Sequence, residues 1–167
     1  MTQTRPQPGA AKPDYVAALE AAYGAPSQAG FGSAVFYEPS TATDDLEQAA
    51  LARYRYFVGD LWERYGEEAW MGPWQAVYER PDGANHDVVT ELRHISDSGA
   101  RLSASMILEG VEDAENAQAA LSAAFDDPAV TELVVYRLGD GGAMSGILVA
   151  GHRNETGETS FLVFLLD

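Results

Sequence analysis

The chain has 167 residues, 10 of them basic and 26 acidic, for a formal net charge of −16, and it contains no cysteine. That length sets one domain as the expectation and lets a fold bury about 70% of its unfolded surface without staples, while the missing cysteine excludes disulfides and thiolate chemistry. Arg5 and Lys12 precede the first acid, so from Asp14 onward 8 basic residues face 26 acidic ones, net −18, which repels a phosphate backbone and favours cationic ligands, basic proteins or metals.

Residues 1–12 are polar and broken by Pro6, Pro8 and Gly9, and are predicted to form a disordered tail ahead of one α+β domain over 13–167. Pro13 and Asp14 open a short helix with Tyr15/Val16, Leu19 and Ala22/Tyr23 on its apolar face, and Gly24 ends it. Phe31–Glu38 alternates as a strand, with Phe31, Val35 and Tyr37 on one face and Ala34 and Phe36 on the other. Thr43, Asp44 and Asp45 start the longest predicted helix, whose stripe is Leu46, Ala50, Tyr54, Phe57/Val58, Leu61 and Tyr65, with Gly66 as its C-terminal cap. After a break at Met71-Gly72-Pro73, Trp74–Arg80 returns to strand alternation and Pro81-Asp82-Gly83 reads as a turn.

Residues 87–95 and 101–108 read as a hairpin. A three-residue loop of Asp97, Ser98 and Gly99 aligns Leu92 with Ala104 and Val88 with Leu108, and requires Gly99 at positive φ. An amphipathic helix follows from Val111, with Ala114, Ala117, Leu121 and Ala124/Phe125 on one side; a right-handed crossover between roughly parallel strands is expected around it. The chain closes with three predicted strands, Thr131–Leu138, Met144–Arg153 and Thr159–Leu166. A loop of Glu155, Thr156 and Gly157 would set Gly151 opposite Phe161, whose ring would cover the glycine gap. The last strand is apolar on both faces and must be walled in from both sides. The expected fold is therefore α+β. It has a mostly antiparallel sheet with a C-terminal three-stranded meander, two main amphipathic helices and a short N-terminal one, in an order that allows a duplicated βαββ layout.

Eight of the aromatic residues, including all three tryptophans, fall between Tyr54 and Tyr78, with Glu63, Glu67, Glu68 and Glu79 among them. Indole faces beside carboxylates suit a cationic ligand, and Trp and Tyr also anchor protein interfaces. The plain alternative is that these rings only cover the sheet. Glu91 and His94 have Glu-x-x-His spacing, but on a strand they point apart, so no metal site is expected. His152 and Arg153 read as a solvated hairpin end. The glycine-rich stretch 139–146 lies between two strands and lacks the helix N-terminus of a phosphate loop, while Ser33, Ser103, Ser105 and Ser145 lack the context of an exposed nucleophile.

These features point to a non-catalytic, cytoplasmic binding or regulatory protein. Trp62, Glu63, Glu67, Glu68, Trp70, Trp74 and Glu79 would engage a protein partner or a cationic small ligand, with Trp62 or Trp70 exposed in a patch beside acids. No cofactor, metal, membrane or direct nucleic-acid partner is implied; the doubly apolar last strand allows a homodimer. The alternatives are a small enzyme using carboxylates with His94 or His152 as acid–base groups, and an acidic DNA mimic that occupies a basic protein surface.

Overall fold

The computed structural model describes residues 12–40 and 46–166. It is α+β, with a five-stranded antiparallel sheet in the order β1-β5-β4-β3-β2. The strands are β1 (Gly32–Glu38), β2 (Gln75–Glu79), β3 (Glu132–Gly139), β4 (Ser145–His152) and β5 (Thr159–Leu166). Helix α1 (Asp14–Tyr23) comes first. Helices α2 (Leu46–Val58), α3 (Asp60–Tyr65) and α4 (Glu67–Met71) lie between β1 and β2, and α5 (Val88–Arg93), α6 (Ser98–Glu109) and α7 (Ala114–Phe125) lie between β2 and β3. Most of the predicted disordered tail, residues 1–11, lies outside the described residues, as does the predicted helix start at 43–45. Lys12 is described and pairs with Glu20 at 2.8 Å.

Strand alternation divides the sheet into two cores. Val35, Leu133, Val135, Ile147, Val149, Leu162 and Phe164 face α1, α5, α6 and α7. Ala34, Phe36, Tyr136, Leu138, Leu148, Ala150, Phe161, Val163 and Leu165 face α2, α3 and α4. Because helices cover both faces, β4 and β5 can be apolar at nearly every position, and the expected burial of the closing strand on both sides is found. Within the described residues no helix is long and apolar enough to cross a membrane.

Three local expectations are overturned. First, the hairpin over 87–108 is helical: α5 and α6 replace both strands, and Gly99 sits in the first turn of α6 without positive φ. The cause is capping. The Asp87 carboxylate accepts from Thr90 N–H at 3.2 Å and that of Asp97 from Ala100 N–H at 2.9 Å, so each aspartate satisfies a donor that a helix start leaves open. Ala100, Ala104, Ile107 and Leu108 then form a helical stripe that is buried, whereas strand alternation would have buried Leu102 and Met106, which are exposed. The βαββ order therefore does not continue through 88–109. Among the described residues there is no parallel pair for a crossover, since α7 runs from α6 to β3 and every pairing is antiparallel.

Second, the long helix breaks at Gly59, whose φ of 65° ends α2. The turn re-aims the chain, so that Trp62 is buried and Tyr65 is exposed, reversing their predicted places. Third, the β4–β5 loop spans four residues, 154–157, closed by Arg153 N–H on the Glu158 carbonyl at 2.7 Å. Gly151 therefore pairs with Ser160, and Ala150 with Phe161. A Cβ on Gly151 would lie 2.6 Å from Cδ1 of Phe125, so the ring that fills the glycine gap comes from α7, and Phe161 belongs to the opposite face.

Candidate functional site

The aromatic cluster forms a continuous ladder on the α2–α4 side. Trp74 stacks between Tyr136, at 4.6 Å between centroids, and Tyr54, at 5.4 Å. Tyr54 meets Trp62 and Trp70 edge-on, Trp62 and Trp70 stack at 6.3 Å, and Tyr65 stacks on Trp70 at 5.9 Å. Polar atoms fix the ladder in place. The Tyr54 hydroxyl accepts from Gly139 N–H at 3.1 Å and lies 2.8 Å from the Trp70 carbonyl and 2.9 Å from that of Gly139, to one of which it donates. Burial raises the Tyr54 pKa well above that of a free phenol, so the hydroxyl stays a donor. The Trp70 indole donates to the Leu61 carbonyl at 3.0 Å, and that of Trp74 to Glu47 at 3.0 Å.

The seven residues singled out from sequence are therefore not one surface. Trp62 and Trp70 are 3% and 0% exposed, so the expected apolar patch is not theirs. Trp74 is half-buried, with Tyr54 and Tyr136 both stacked on its ring. Glu63, Glu67 and Glu68 are exposed on α3 and α4, where Glu67 lies 3.7 Å from Arg55. Glu79 lines a separate hollow of β2 and β3 with Asp82, Glu132 and Tyr136.

The ladder does reach the surface at Tyr65. There it borders an open hollow of about 410 Å³, lined by Phe31, Leu61, Tyr65, Asp140, Ala143 and Met144 at the end of the sheet. Phe31 is 62% and Tyr65 52% exposed, an unusual state for rings this large. Phe31 precedes β1, and Gly30 and Gly32 flank it at φ of 81° and 94°, conformations that glycine adopts at little cost. Asp140 is held in a similar way between Gly139 and Gly141. Its Oδ1 accepts from Gly142 N–H at 2.8 Å and Met144 N–H at 3.1 Å, which fixes the carboxylate at the rim. Among the described residues no cation pairs with Asp140. On the other flank of α3, Asp60 and Glu63 line a smaller hollow of about 280 Å³ with Arg55 and Tyr56, and Tyr56 is also exposed.

Sequence reasoning missed Phe31 and Asp140. The signal available was a large side chain set between two glycines, which in Gly30-Phe31-Gly32 argues against an ordinary strand position.

Charged groups elsewhere serve the fold. Arg80, nearly buried, donates to both Glu91 oxygens at 2.5 and 2.8 Å and to the Phe125 carbonyl at 2.9 Å, tying the edge strand β2 to α5 and α7. Tyr78 adds a 2.6 Å bond to Glu91, and burial pushes its phenol up to about 12. Burial works against ionised Glu91, but the hydrogen bonds from Arg80 and Tyr78 outweigh it and hold the carboxyl below its usual range. Asp126, beside them, is raised by burial. His86 is half-buried and His94 exposed, and both contact backbone carbonyls. His152 is buried rather than solvated, with Nδ1 2.8 Å from the Thr159 hydroxyl, because it lies on the α2 side of the sheet. Among the described residues no three His, Asp or Glu side chains converge as a metal-binding group. Compared with protein-family models, curated proteins and solved structures, the chain matches none.

Proposed function

We propose that this is a non-catalytic cytoplasmic binding protein whose α3 surface engages a basic partner protein and seats one cationic side chain of it in the hollow between Phe31 and Tyr65. The observation that carries this reading is the pair of rings held exposed around the Asp140 carboxylate. A guanidinium or ammonium over an aromatic face gains about 0.5–1 kcal/mol at an exposed site, and an adjacent carboxylate adds charge attraction. Asp60 and Glu63 across α3, with Tyr56 beside them, extend the same chemistry along the ridge. The net charge of −16 speeds encounter with a basic surface, so association should slow as salt rises.

A hexa-arginine peptide serves as the probe, followed by tryptophan fluorescence and calorimetry. Filling the hollow should change the emission of Trp70, which lies behind Tyr65. Phe31→Ala should weaken binding roughly 10-fold, as loss of an interface anchor does, and Asp140→Asn about 3- to 5-fold. Asparagine keeps the Oδ1 acceptor that holds the turn, so the Asp140 variant isolates the charge. Equal affinity of both variants and the parent would mean that the peptide binds the acidic surface at large, and the site assignment would fail.

A further inference from the structure

On the other side of the sheet, α5 and α6 leave a larger open groove of about 680 Å³ between them. Its lining includes Arg93, Arg101, Ser98, Ser105, Leu102 and Leu108, with one carboxylate, that of Glu109, beside Arg93. Leu102 is 66% exposed, more than any other large apolar side chain among the described residues. The groove also gathers two of only 10 basic residues in a chain with 26 acids. Most of the described cations already have carboxylate partners: Lys12, Arg53, Arg55, Arg80, Arg137 and Arg153 each lie within 4 Å of one. Among the described residues Arg101 has no carboxylate partner; its guanidinium makes a 3.3 Å bond to the Ile95 carbonyl. Arg93 has a single exposed pairing with Glu109 at 3.3 Å, a contact that solvent screens and a ligand can replace.

We infer that the α5–α6 groove is a binding site for a small amphiphile with an oxyanion head, a carboxylate or a phosphate, on an apolar chain. The two guanidiniums supply forked donors matched to such a head. Leu102 and Leu108 supply the apolar floor, and the Ser98 and Ser105 hydroxyls supply further hydrogen-bonding groups. The volume is that of a small-molecule site. The chemistry is opposite to that of the Phe31/Tyr65 hollow, and the inference stands whether or not that hollow binds a basic partner.

The test is calorimetric titration of the full chain with octanoate, octyl phosphate and octylammonium below their micellar concentrations. At least one of the two anions should bind at one site per chain, and the ammonium should bind at least 10-fold more weakly. The double variant Arg93→Ala/Arg101→Ala should reduce anion affinity 10-fold or more with an unchanged circular dichroism spectrum, since both side chains are exposed. Leu102→Ser, which removes no charge, should weaken binding about 3- to 10-fold through lost apolar contact. Binding of octylammonium as tight as that of the anions, or anion affinity unchanged in the double variant and in Leu102→Ser, would overturn the inference. Tighter binding of octyl phosphate than octanoate would assign the head as phosphate, and the reverse as carboxylate.

Discussion

The two sides of the sheet solve the same packing problem with different side chains. Three of the 22 buried residues facing α1, α5, α6 and α7 are aromatic, against seven of the 16 facing α2, α3 and α4. The first side is closed by helices whose buried stripes carry small residues, Ala100 and Ala104 on α6 and Ala117, Ala120 and Ala124 on α7, so that helix and sheet approach closely over short aliphatic chains. On the second side the helices are cut at Gly59 and Gly66 into short pieces, and large rings fill the space that the breaks open. Rings bring polar handles and exposed edges. The ladder thus extends from the core to Tyr65 at the surface, while the aliphatic side carries its most buried ion pair in the Arg80–Glu91 clamp. A candidate site for a cation follows from the aromatic packing and not from the aliphatic.

The comparison breaks most sharply at Trp70. If the ladder is core, Trp70→Ala should cost about 3–5 kcal/mol in urea unfolding, at least as much as Leu121→Ala on the aliphatic side. A cost below about 1 kcal/mol would show that the ladder is surface covering. A smaller effect tests its polar anchor. Tyr54→Phe leaves the ring stack in place but removes the hydroxyl shared by Gly139 and the Trp70 carbonyl, so a loss of about 1–3 kcal/mol is expected, with little change in tryptophan emission.

The smallest expected effect concerns acid. Glu91 has a depressed pKa, so its ionised form contributes stability that is present above the ordinary glutamate value of about 4.3 and is lost as pH falls through its lower folded value. Asp126 has the opposite sign: its raised pKa makes protonation favour the fold, which offsets part of that loss. Urea midpoints measured from pH 5 down to pH 2.5 should therefore fall less steeply in Glu91→Gln than in the parent. Equal slopes would remove the clamp as the acid-sensitive element.

Strand alternation and turn residues make the meander legible in the sequence, because three strands with unambiguous breaks between them leave few alternatives. The stretch 87–108 was not legible in the same way. Val88, Leu92, Ala104 and Leu108 satisfy both a two-residue and a helical period, and the decision rests on whether Asp87 and Asp97 cap helices or flank turns. The aromatic cluster was visible as composition, but not its burial: the kink at Gly59 exchanged the places of Trp62 and Tyr65, and a linear stripe carries no record of such a rotation.

By itself the sequence determined the acidity, the α+β class and the need for the closing strand to be covered on both faces, since these follow from residue type and local period. The tertiary structure alone decided which rings are core and which stand at the surface. That outcome depends on backbone turns at single glycines, which redirect whole segments while leaving the local hydrophobic pattern unchanged.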